Sequence, residues 1–250
     1  MIKRIFLATT LTLATLVCQA DEIWHNLNYY VRVGYNLGGT APIGMPATIR
    51  SLDNYQLCAN FNLGIDAYLP FGNFWGIMAG LHFENKGMKT DARVKNYNMS
   101  MVQGGSKLSG VFTGNVITRE NMSLITIPVQ ATLNISSHWR LKLGPYISYV
   151  TSHSFDGSAY NGYLRKDNPT GDKVMLGNED DTRGNYNFSD NMRDVQWGIA
   201  LGADWYASKR WGAFVGIDWG LSGIFKSDFH VISQTLYPIF GEIGVIYQLK

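Results

Sequence analysis

Two places in the sequence set a hydroxyl near an imidazole: Ser152-His153-Ser154, and His230 with Ser233. A serine with a histidine base is the minimum for acyl transfer, and a lipid deacylase would hold such a pair near a membrane rim. No acid clearly orients either imidazole, so both runs read as polar loop residues. Asn178-Glu179-Asp180-Asp181 offers carboxylates for Ca²⁺, or for divalent bridging to lipopolysaccharide. It lacks the alternating ligand spacing and closing bidentate Glu of a calcium loop, and reads as a solvated acidic loop. His82 reads as a hydrogen-bonded packing residue. The sequence has no Gly-rich phosphate loop, zinc spacing or dinucleotide fingerprint. Gly-x-x-x-Gly between 212 and 220 falls in a strand pattern, where its helix-pairing meaning does not apply. No catalytic, cofactor-binding or metal-ligating residue is assigned. The chain reads as non-enzymatic and without a cofactor.

The elements that would carry these residues alternate with period two, as strands do. Eight such segments follow one another: 29–37, 57–69, 75–83, 123–135, 139–149, 195–205, 211–221 and 239–249. Segment 75–83 sets Trp75, Ile77, Ala79, Leu81 and Phe83 against Gly76, Met78, Gly80 and His82. Segment 211–221 sets Trp211, Ala213, Val215, Ile217, Trp219 and Leu221 against Gly212, Phe214, Gly216, Asp218 and Gly220. No apolar face carries a charge. A Lys or Arg facing lipid at mid-membrane would cost roughly 2–4 kcal/mol, so the pattern is that of membrane-spanning strands. Each is about the length a tilted membrane strand needs.

Connections alternate as well. Short turns lie at 70–74, 136–138 and 207–210, and long polar loops at 38–56, 84–122, 151–194 and 222–238. Short turns on one rim and long loops on the other fit an outer-membrane barrel with the long loops outside the cell. Loops 84–122 and 151–194 are long enough for hairpin extensions above the membrane. Aromatic residues mark two interfaces. Tyr29, Trp75, Trp139, Trp205, Trp211 and Tyr247 lie at the short-turn ends, and Tyr35, Phe83, Tyr149, Trp197 and Trp219 towards the long-loop ends.

The expected fold is therefore all-β: an eight-stranded antiparallel up-and-down transmembrane β-barrel with a polar, Gly-rich, largely plugged lumen. A soluble lipocalin-type barrel would reverse the faces. Its narrow interior cannot seat all these Trp residues, and its exterior would be nearly bare of charge. With the polar face inward, the lumen holds Arg32, Asp66, His82, Arg140, Lys142, Asp204, Asp218 and Glu242. Buried charges of mixed sign must pair to be tolerated, so they read as a plug rather than as a proton or ion path.

The 250 residues are 46% hydrophobic and 13% aromatic but only 16% charged, below the roughly 25% of soluble domains. Lys3-Arg4, an apolar run from Ile5 to Val17 and the small residues Cys18 and Ala20 predict a signal peptide over 1–20. The barrel domain then covers 21–250. A lipoprotein acylated at Cys18 would need a small residue before that Cys, where Val17 stands. Removing Lys3 and Arg4 from the 21 basic residues leaves 19, equal to the 19 acidic ones. A net charge of zero gives no footprint for nucleic acid. With only Cys58 left after cleavage, no intramolecular disulfide can form.

One stretch carries a family resemblance. Leu124-Ile125-Thr126-Ile127-Pro128-Val129 is followed by Leu143-Gly144-Pro145-Tyr146-Ile147, then Gly198 to Ala203, Asp218-Trp219-Gly220-Leu221 and the closing Gly241 to Leu249 strand. Their order and spacing resemble the PorT-like outer-membrane β-barrel family of Bacteroidetes, over most of residues 28–250. The chain ends Leu249-Lys250, where that family often closes on an aromatic residue. The resemblance implies an accessory component of a type IX protein secretion apparatus as an alternative to surface contact or envelope support by the outer loops. A lipid A-modifying enzyme is a further alternative. The partners expected are outer-membrane lipid and lipopolysaccharide, with secretion or envelope proteins as the macromolecular candidates.

Overall fold

The computed structural model describes residues 26–249, except Met45, Ala59 and Ser233. The expected signal peptide over 1–20 lies outside the described residues. Eleven strands form one sheet: β1 (Asn28–Pro42), β2 (Ile49–Leu57), β3 (Phe61–Phe71), β4 (Trp75–Gln103), β5 (Ser106–Asn134), β6 (Trp139–Lys166), β7 (Lys173–Leu176), β8 (Gly184–Asn187), β9 (Val195–Tyr206), β10 (Trp211–Gly220) and β11 (Leu236–Gln248). Eight of them close a ring. The antiparallel order is β1-β3-β4-β5-β6-β9-β10-β11, with β11 returning to β1. These eight correspond one for one to the alternating segments.

The faces point as the pattern requires. Val33, Ile65, Leu81, Val129, Leu143, Leu201, Val215 and Ile243 are exposed on the outer wall, and the intervening polar residues are buried in the lumen. In water such a wall would be unstable, but in hydrocarbon it is the favourable surface. The girdles are level in the register. Trp139 sits opposite Trp205 and Trp211 opposite Tyr247 at one rim, and Ile125 lies between Phe83 and Tyr149 at the other.

Two short turns share one construction. In Ser136-Ser137-His138-Trp139, the Ser136 hydroxyl accepts from the backbone N–H groups of His138 and Trp139 at 3.2 Å each. In Ser208-Lys209-Arg210-Trp211, the Ser208 hydroxyl accepts from Arg210 at 3.4 Å and Trp211 at 3.1 Å. Each serine satisfies donors that the tight reversal removes from the ladder.

Connections 84–122 and 151–194 form the strand extensions above the membrane for which their length leaves room, and 38–56 is largely strand rather than loop. Residues 84–122 are the outer halves of β4 and β5, joined at Gly104 and Gly105 with φ of 54° and 80°. Two successive left-handed residues suit the right-handed twist of a hairpin, and Gly adopts them without Cβ strain. β6 likewise runs through Thr151 to Lys166, and β7 and β8 return along it. Loop 38–56 supplies the end of β1 and most of β2, which pairs with β4. The chain between 57 and 61 is a second difference: the expected continuous strand 57–69 is broken there, leaving Leu57 at the end of β2 and Phe61 at the start of β3.

This outer body has its own apolar interior. Met99, Met101, Phe112, Val116, Phe155, Leu164, Met192, Ile224 and Phe225 belong to one buried cluster. The inward face of β4 shows the change of solvent. It reads His82, Glu84 and Lys86 beside the membrane, then Met88 and Val94 above it, all buried. Where lipid surrounds the wall, polar residues fill the inside; where water surrounds it, apolar residues do.

Candidate functional site

Each polar layer of the lumen follows from the inward phase of several strands. Nearest the short turns, the Arg140 guanidinium lies 3.9 Å from the ring centre of Tyr68 and donates to Tyr206 Oη at 3.0 Å and Tyr30 Oη at 3.3 Å. Asn134 fixes this cage. Its Oδ1 accepts from Arg140 Nε at 3.0 Å, and its Nδ2 donates to Tyr68 Oη at 2.7 Å.

Arg32 occupies the middle layer. It faces Asp66 at 3.5 Å, Glu242 at 3.8 Å and Asp204 at 3.9 Å, with its guanidinium 4.1 Å from the Phe214 ring centre. Lys142 pairs with Asp204 at 2.7 Å, and His82 Nε2 with Asp66 Oδ1 at 2.8 Å. His82 is thus a hydrogen-bonded packing residue. Gly80 makes that contact possible, because a Cβ there would lie 2.1 Å from Asp66 Oδ1.

Lys86 organises the upper layer, 3.0 Å from Glu84 and 2.8 Å from Asp218. Glu84 also accepts from Thr126 Oγ1 at 2.8 Å. Glu84, Asp218 and Glu242 could each turn one oxygen towards a shared cation. Lys86 already pairs with two of them, and Glu242 faces Arg32. All eight lumen charges expected from the sequence are buried together, and Glu84 and Lys86 join them. Glu84 and Lys86 lie beyond segment 75–83, where the lipid-facing side ends. The inward phase continues two steps further, and that continuation was the available signal. The cavity among Arg32, Glu84, Lys142, Asp218 and Glu242 is only about 20 Å³, so these charged layers are closely packed.

The first hydroxyl–imidazole candidate is not brought together. Ser152, His153 and Ser154 lie within β6, not on a loop, and successive strand residues face opposite sides. His153 Nε2 turns to Asp194 at 3.8 Å. His230 is exposed, and Ser233 lies outside the described residues. Around Asn178-Glu179-Asp180-Asp181, the Glu179 carbonyl accepts from the N–H groups of Thr182 and Arg183, and Asp180 faces Arg183 at 3.6 Å. The run is a solvated turn with its own cation.

Above the plug the chemistry changes. Glu120 is fully buried, and its Oε1 accepts from Thr40 Oγ1 at 2.7 Å. It stands five residues past Ile125, the level of the outer girdle, roughly 13 Å beyond it along a tilted strand. Burial pushes the Glu120 carboxyl up to about 7, against the smaller downward pull of the Thr40 hydrogen bond. Immediately above lies a cavity of about 610 Å³, lined by residues of β1, β2, β4, β5, β6, β8 and β11. No motif pointed to it, because its walls come from strands far apart in sequence.

No curated protein matches the sequence. Among solved structures, the chain is similar to Ail, the attachment invasion locus protein of Yersinia pestis. The Ail complex with the heparin analogue sucrose octasulfate aligns at 9% identity and TM-score 0.34, over 89% of this chain and 97% of Ail. A second Ail structure aligns at 10% identity and TM-score 0.33 over the same shares. The translocator domain of autotransporter NalP from Neisseria meningitidis aligns at 12% identity and TM-score 0.25, over 96% of this chain and 95% of that domain. The outer membrane protein beta-barrel domain family matches residues 18–226. With its closed ring of strands and apolar outer wall, the chain belongs to the outer membrane protein beta-barrel domain family and resides in the bacterial outer membrane.

Proposed function

We propose that this protein is a non-enzymatic surface-contact barrel, in which a plugged membrane cylinder anchors a folded extracellular body. The observation that carries the reading is the length of β4, β5 and β6, 29, 29 and 28 residues, of which roughly two-thirds stand beyond the outer girdle around an apolar interior. A filled lumen suits an anchor, since no wide water path runs through it. The titratable lumen residues serve in ion pairs with one another rather than facing a cleft, which supports a role without catalysis. Outer-membrane lipid and lipopolysaccharide surround the wall in this reading, and the partner meets the outer body.

Surface labelling tests it. In a Cys58→Ser background, Ser106→Cys at the tip of the β4–β5 hairpin should react with a membrane-impermeant maleimide on whole cells. Lys209→Cys, on a short turn, should react only after lysis. The opposite pattern overturns the reading. The finer PorT-like affiliation, suggested by the Leu124 to Leu249 motifs, belongs to this proposal as well. Loss of cargo secretion in a deletion strain supports it, and unchanged secretion removes it.

A further inference from the structure

Among the described residues, the barrel wall is not continuous above the membrane. β1 and β3 pair only as far as Tyr35 opposite Phe61, with Asn36 N–H donating to the Asn60 carbonyl just beyond at 3.1 Å. The next strand along β4 is β2, yet among the described residues no ladder joins β2 to the outer half of β1. Two tyrosine hydroxyls span the seam instead. Tyr35 donates to the Cys58 carbonyl, and Tyr55 to the Gly38 carbonyl. A side chain the length of tyrosine in place of a backbone bond means the strands stand apart. Behind the gap, the Thr40 N–H turns to the Met88 sulfur at 3.3 Å. An amide that accepts so weak a partner marks an edge the sheet does not satisfy.

Both edges of this seam line the 610 Å³ cavity. Its volume is within the range of about 300–1,000 Å³ typical of ligand pockets. Among the described residues, no charged side chain lines it; its polar groups are hydroxyls such as Thr40, Thr118 and Tyr186. The mouth is apolar too. Leu37, Leu52 and Leu57 are exposed around it, and Ile43 is exposed just past the end of β1. Leu37 lies only two residues past Tyr35, so this apron continues the lipid-facing surface at the outer interface. An opening in water alone would gain nothing from exposed Leu and Ile. The mouth begins beside the outer leaflet at Leu37 and stays apolar up through Leu57 and Leu52, so a chain can slide from hydrocarbon into the cavity along apolar surface.

We propose that the seam between β1 and β2 is a lateral portal, through which the cavity takes a single long alkyl chain from the outer leaflet. The chain lies along the apolar wall formed by Val94, Val116 and Phe155, and its polar head stays at the mouth beside Tyr55. This names a ligand class for the surface-contact reading and rests on the outer body being extracellular. The maleimide experiment tests that orientation separately, so failure of one is distinguishable from failure of the other.

The test uses full-length protein reconstituted in phosphatidylcholine bilayers with a chain-labelled spin probe, either doxyl-stearic acid or doxyl-phosphatidylcholine. The expected result is a strongly immobilised spectral component near one label per protein, beyond the ordinary boundary lipid. Ala92→Phe, which fills the cavity, should abolish that component. Displacement of the stearic label by unlabelled palmitate assigns the site to free fatty acids. Immobilised phosphatidylcholine that palmitate does not displace assigns it to a membrane lipid chain. Thr118→Phe is the second filling variant, and the heat-dependent gel shift identifies which variants fold. Spectra that do not differ between the unmodified protein and a folded cavity-filling variant, for both probes, overturn the proposal.

Discussion

Replacing Glu120 by Gln should stabilise the folded protein, and the gain should grow with pH. Glu120 is fully buried above the plug, and Thr40 Oγ1 is its hydrogen-bond partner. Burial raises its carboxyl from an ordinary 4.5 to about 7. That displacement corresponds to roughly 3 kcal/mol of preference for the neutral form in the folded state. Below the unfolded value both states hold the proton, and the folded state bears no cost. Between 4.5 and about 7 only the unfolded chain releases it, so stability falls as pH rises. Above about 7 both states are ionised, and the full cost remains. Gln keeps the shape and an oxygen for Thr40 but never ionises. The difference between Glu120→Gln and the unmodified protein should therefore be near zero at about pH 4 and reach about 3 kcal/mol by about pH 8. Urea unfolding in detergent micelles, followed by tryptophan fluorescence at several pH values, measures it. A difference that does not change with pH, or a destabilised Gln variant at high pH, would refute the reasoning.

Three further outcomes concern the plug. Lys86→Met leaves Glu84 and Asp218 buried without their shared cation and should cost about 3–5 kcal/mol in the same unfolding assay, whereas a loss below about 1 kcal/mol would contradict the pairing. Gly80→Ala places a methyl group against Asp66 Oδ1, and about 1–3 kcal/mol should be lost as the Asp66–His82 contact is forced apart. A variant as stable as the parent would show that the lumen yields at no cost. In planar bilayers the unmodified protein should give no steady ion conductance, since the charged layers leave about 20 Å³ free; a persistent open level would contradict a filled lumen.

The membrane half of the fold was legible because lipid enforces one rule on every strand. Outward positions must be apolar and uncharged, so alternation from Trp75 to Phe83 or from Trp211 to Trp219 carries both strand type and facing. Above the girdle that rule relaxes, and the phase itself breaks. β4 slips between Val94 and Tyr97, where Asn96 has φ of 53°, and β5 slips against β6 near Ser123 and Leu124. A period-two reading loses register at each slip. Gly104-Gly105, nearly midway between residues 84 and 122, was a usable hairpin signal of the kind that two-residue turns leave. β2 left none, because it is bulged against β4 and largely exposed. The plug was legible as a set of inward charges, but not in its pairing. Arg32 with Asp204, or Lys86 with Asp218, joins residues that only closure of the ring brings together. The cavity was illegible for the same reason, with Thr40, Met88, Val116 and Phe155 contributed by four different strands.

Residue-resolved amide hydrogen exchange of the protein in lipid bilayers tests the central claim, a membrane barrel continued outwards as a folded body. Amides of residues 88–118 and 151–166 should be protected over hours, at levels approaching those of the membrane strands. Complete exchange of both stretches within seconds, with the membrane strands still protected, would mean that the outer halves of β4, β5 and β6 are mobile loops, and would contradict it.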